Sequence, residues 1–169
     1  KPTFKMYMTS VQIDPENQIY DITYPKDYGK ELEDNIGSFH TLGMPEDTKA
    51  VTENKISESV FIEQVKQIEE ERKKMFIYEF KRFNEGTLAC VFDAGDRLKH
   101  IFWNNRLDDD RDVIKNLPKE IKDYYVEKDK FIGNVISQLD KNTKLIIFSD
   151  HGFSTFKRQV NINSWLVKE

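Results

Sequence analysis

The chain has 169 residues, enough for one substantial core and hardly for two. With 33% charged, 38% hydrophobic and 12% aromatic residues, it does not read as an intrinsically disordered protein and fits a soluble globular α/β protein. A net charge of −4 argues against non-specific binding to a nucleic-acid duplex or a membrane, but leaves room for a small charged substrate held at a metal ion.

No run of 18 apolar residues predicts a membrane span, and no signal-peptide pattern opens the sequence. The chain starts at Lys1 and stops at Trp165-Leu166-Val167-Lys168-Glu169, so it reads as a fragment excised at both ends, with a cytoplasmic location expected. Cys90 has no partner for an internal disulfide and is expected as a small core residue in a reducing compartment.

In chain order, Phe4 to Val11 is a short strand candidate, and the Asp14-Pro15-Glu16-Asn17 turn separates it from a second, Ile19 to Tyr24. Lys26 to Asn35 suits a brief helix stopped by Gly37, and Ser38 to Lys55 carries loop signals. Residues 1–55 are therefore read as substrate-side strands and loops. Residues 56–86 form a long amphipathic helix capped by Ser57 and ended by Gly86, with Phe61, Val65, Ile68, Met75, Phe76, Phe80 and Phe83 on its apolar stripe.

Residues 87–169 are read as a βαβ unit. Thr87 to Phe92 and Leu145 to Phe148 are continuous apolar runs of strand length, which predicts strands buried on both faces of a parallel sheet. Between them, Asp112 to Leu139 is patterned as one or two helices, with Pro118 marking a new start. The first run is followed by Asp96 and His100, which share a face if a helix begins near Asp96. The second is followed by Asp150, His151 and Gly152, the glycine allowing a sharp turn. Each acid and imidazole pair is a half-set of ligands for zinc or another divalent transition metal. Taken singly, Asp150-His151 could be a strand end capped by a turn-forming Asp with an incidental His, and Asp96 a helix N-terminal acid with a partly buried His100 one turn later. Parallel strands end on one edge of their sheet, however, so both pairs are expected on one rim, and together they favour a metal site. Asp93 is read as an N-terminal helix charge, and Trp103 and Trp165 as packing residues.

These motifs, Asp-x-x-x-His after one strand and Ser149-Asp150-His151-Gly152 after a later one, with Asn161 to Leu166 behind them, resemble the alkaline phosphatase superfamily. The likeness is to its type I phosphodiesterase and nucleotide pyrophosphatase branch, and the segment Gly37 to Thr48 and the run Asp96 to Trp103 are similar to that branch's microbial members. The resemblance implies an alkaline-phosphatase-like three-layer α/β/α fold with a mostly parallel sheet, present as a partial domain. It implies a two-metal phosphohydrolase using zinc, or manganese, with Asp96 and His100 on one ion and Asp150 and His151 on the other. In the family a Thr or Ser nucleophile attacks phosphorus; that nucleophile, an Asp near it and a late His have no match here, so the catalytic residues stay unassigned. The implied substrate is a small phosphate ester or nucleotide. A homodimer through an uncovered sheet edge is also expected. The alternatives are a non-catalytic binding or structural module that keeps the fold, or a phosphomonoesterase, phosphoglycerate mutase or sulfatase of the same superfamily. The 37–48 segment is expected either to face substrate or to be an ordinary surface loop.

Overall fold

The computed structural model describes residues 6–103 and 109–168. Seven α-helices form among them, and they fall into two compact units, Lys1–Ile101 and Phe102–Glu169.

The first unit is built on α3 (Glu58–Arg82), preceded by α1 (Tyr28–Ile36) and α2 (Thr48–Thr52), both of which pack against it, and followed by α4 (Ala94–Phe102). The Ser57 hydroxyl caps α3 by accepting from the Val60 backbone N–H at 3.3 Å. Glu58 in the first turn and Lys81 and Arg82 in the last complement the helix dipole. Phe61, Ile62, Val65 and Ile68 of α3 are buried with Leu32 of α1, Ala50 and Val51 of α2, and Ala94 and Leu98 of α4. At roughly 1.5–3 kcal/mol per buried large aliphatic or aromatic side chain, this stripe dominates the unit's stability. The expected helix near Lys26–Asn35 is α1, and Gly37 ends it at φ 84°, a left-handed backbone that a residue with a Cβ adopts only under strain. Polar cross-links add to the packing: the Tyr28 hydroxyl donates to Glu79, and Glu31 accepts from Tyr78 and pairs with Arg82.

In the second unit α5 (Asp110–Lys115) and α6 (Lys119–Ile136) flank Pro118, the residue expected to mark a new start. Val113, Leu117, Ile121, Tyr124 and Val135 form its apolar centre. A one-turn helix, α7 (Ile162–Leu166), follows, with the Asn161 side chain accepting from Ser164 N–H.

The expectation of a three-layer α/β/α fold with a mostly parallel sheet is wrong for this structure: among the described residues there is no strand and no sheet. Helices α1, α3, α5 and α6 are where the pattern puts them, but the expected strands are irregular segments. Leu145 to Phe148 is exposed, with Ile146 at 77% and Phe148 at 89%, and Val91 in the earlier run is 74% exposed. A run of apolar residues meets the local criterion for a buried strand, yet a strand exists only when neighbouring strands take up its N–H and C=O groups. Among the described residues, neither run has such a neighbour. The expected strand at Ile19–Tyr24 is irregular as well, and so is the described part of the one at Phe4–Val11, whose residues 4 and 5 lie outside the described residues. Three smaller corrections follow the same logic. The loop expected over Ser38–Lys55 contains α2. Cys90 is half-buried rather than a core residue. Trp165 is 58% exposed, because α7 buries none of its residues. No helix among the described residues is long and apolar enough to cross a membrane.

Candidate functional site

Helix α4 brings Asp96 and His100 together as the i, i+4 spacing requires, with His100 Nε2 at 3.3 Å from Asp96 Oδ1. The start of the helix is fixed by Asp93, whose carbonyl accepts from the N–H groups of Asp96 and Arg97. Its acid therefore sits at the helix N-terminus, where the dipole favours negative charge. Ala94 and Leu98 bury the opposite side of α4 in the core, which leaves Asp96 half-buried and His100 exposed at the surface. The other oxygen of Asp96, Oδ2, accepts from the Arg97 guanidinium at 3.0 Å. Asp96 thus presents one oxygen, Oδ1, toward the imidazole.

In the second unit Asp150 and His151 lie on an exposed segment, with His151 Nε2 at 3.6 Å from Asp150 Oδ2. The His151 backbone N–H donates to Asp150 Oδ1 at 3.0 Å, so the carboxylate is turned back over its neighbour. His151 Nδ1 lies 2.9 Å from the Gly152 carbonyl oxygen, which can only accept. Neutral His151 making that bond carries its proton on Nδ1 and its lone pair on Nε2, the tautomer that ligation through Nε2 needs. Phe153 packs against both the His151 and Trp103 rings, at 5.8 and 5.5 Å between centroids, so Trp103 is a packing residue as expected. Gly152 lies outside the left-handed backbone region, and a Cβ there would meet nothing within 4 Å. Thr155, buried a few residues on, ties this segment to α5 through Asp110.

The donor chemistry fits half a transition-metal site at each pair, with one carboxylate oxygen and one imidazole nitrogen a few ångströms apart. Among the described residues no group of three His, Cys, Asp or Glu side chains is placed to hold an ion. Each pair therefore supplies two of the four ligands a closed zinc site takes. The third histidine is occupied otherwise: His40 donates its backbone N–H to Glu71 at 3.0 Å and sets Nδ1 2.8 Å from the same oxygen. It clasps the 37–47 segment to α3.

Sequence reasoning missed Glu46. It sits in the segment suspected of facing substrate, yet its side chain is only 2% exposed, and its Oε2 lies 3.6 Å from Arg97 Nε. Neither atom has a hydrogen-bond partner. The one signal in the sequence was Arg97 itself, a cation placed inside the Asp-x-x-x-His spacing.

No curated protein and no solved structure matches the chain. The family model for type I phosphodiesterase / nucleotide pyrophosphatase matches residues 7–169, a span that includes both Asp-His pairs, and such families are hydrolases that are generally metal-dependent. The chain belongs to the type I phosphodiesterase / nucleotide pyrophosphatase family.

Proposed function

We propose that the chain is part of a metal-dependent phosphohydrolase that cleaves small phosphate esters or nucleotides with two divalent ions. Asp96 and His100 hold one ion and Asp150 and His151 the other. The observation that carries this reading is the Asp96–His100 pair, two donors 3.3 Å apart on one helical face inside a chain of this family. Bound zinc, or manganese, supplies Lewis-acid stabilisation of the charge that develops on the entering and leaving oxygens. The protein's part is orientation. Asp96 Oδ1 is aimed by the Arg97 contact on Oδ2, and His151 Nε2 is aimed by the bond between Nδ1 and the Gly152 carbonyl. The nucleophile is not assigned to a residue of this chain.

Calorimetry with zinc tests the assignment on the chain itself. Wild type is expected to bind weakly, since each pair is incomplete, and His100→Ala and His151→Ala should each remove one part of the binding. Binding by both variants equal to wild type would rule the ligand set out.

A further inference from the structure

Arg97 stands between a candidate ligand and a buried acid. Its Nη1 donates to Asp96 Oδ2 at 3.0 Å, its Nε lies 3.6 Å from Glu46 Oε2, and its Nη2 is 4.0 Å from Asp93 Oδ2. Glu46 Oε2 and the Arg97 Nε–H are both shut off from solvent, and both lack hydrogen bonds while facing each other just beyond bonding distance. An unmade bond between two such groups is costly, and a shift of a few tenths of an ångström would make it. The cavity beside Glu46, lined also by Glu69, Arg72 and Asp93, measures about 10 Å³, room for no more than about one water. Arg72 shares this lining, but Arg97 is the cation that also contacts Asp96. Glu46 is itself fixed from the side: Asp47 N–H donates to Gln64 Oε1 at 2.8 Å, and Gln64 Nε2 donates back to Asp47 Oδ2 at 2.7 Å, which holds the segment on α3.

We propose that Arg97 is a positioning residue for Asp96 and that buried Glu46 anchors it. The inference rests on the reading of Asp96 and His100 as ligands. By engaging Oδ2, Arg97 holds the carboxylate with Oδ1 toward His100 Nε2, 3.3 Å away. A cation arriving at Oδ1 repels the guanidinium, and Glu46 Oε2 is the acceptor toward which Nε then moves. Glu46 thereby couples the 37–47 segment to occupation of the Asp96–His100 pair.

The test is a zinc titration of the whole chain followed by ¹H–¹⁵N spectra of its three imidazoles, which report His40, His100 and His151 separately. Glu46→Gln and Arg97→Lys are each expected to weaken zinc binding at His100 about tenfold or more, with His151 unaffected. Arg97→Lys keeps the charge and removes only the planar fork, so a purely Coulombic role would leave it unchanged. The double variant should be no worse than the weaker single one, because the two residues act as one unit. The His40 signal, held by Glu71 in the same unit, reports whether a variant is folded; if Glu46→Gln is not, Arg97→Lys carries the test. Folded variants that bind zinc at His100 as wild type does overturn the anchoring and leave the ligand reading standing. A wild-type chain whose His100 signal ignores zinc overturns both.

Discussion

Asp110 and Thr155 are 45 residues apart in sequence, and one carboxylate oxygen accepts from both the backbone N–H and the hydroxyl of Thr155, at 2.7 and 2.6 Å. These bonds, the hydroxyl's first, hold the Asp110 carboxyl below the usual carboxylate range. A depressed folded-state pKa adds stability that is present above the unfolded value of about 3.9 and is lost as pH falls through the lower folded value. Asp110→Asn should therefore lower the melting temperature at neutral pH, and the gap to wild type should close below about pH 4. Melting curves across pH read this directly, and a gap independent of pH would mean that the charge is not what Thr155 engages. At this scale the Asp96–His100 geometry was legible, because 3.6 residues per turn alone brings i and i+4 together. Asp110–Thr155 and Glu46–Arg97 were not, since contacts between distant residues leave no periodicity to read.

Helix α3 is the element on which the first unit is assembled, and both of its controls are local. Ser57→Ala removes the hydroxyl that receives the Val60 N–H and should cost about 1 kcal/mol. Phe61→Ala, at a position with no exposure, should cost about 3–5 kcal/mol. Urea unfolding of the two variants should rank them in that order, and a loss of similar size from both would mean that α3 is held by its end rather than by its stripe. Caps, Gly37 and Pro118 announce helices because a helix satisfies its own backbone, so α1, α3 and α6 could be read from the sequence. Helix α2 escaped because five residues are too few to show a period. The strands were misread for the opposite reason: Leu145 to Phe148 has the composition of a buried strand, but composition cannot supply the neighbour that a strand needs.

For the whole molecule, exposed apolar segments and the two Asp-His pairs set the expected behaviour. Ile146, Ile147 and Phe148 stand in solvent in a row, a surface that favours association. Sedimentation velocity should show concentration-dependent self-association that Phe148→Lys weakens; a variant that associates as wild type does would place the contact elsewhere. Chemistry belongs to the same scale, because neither pair completes a metal site by itself and catalysis of this class needs the ions, their ligands and a nucleophile as one unit. The most direct measurement is hydrolysis of bis-p-nitrophenyl phosphate, with zinc or manganese, by this chain and by a full-length protein that contains it. The full-length protein should turn over and lose activity by several powers of ten on Asp150→Ala or His100→Ala, while the 169-residue chain should be inactive. Turnover by the full-length protein that survives both substitutions would contradict the assignment of these residues to the ions.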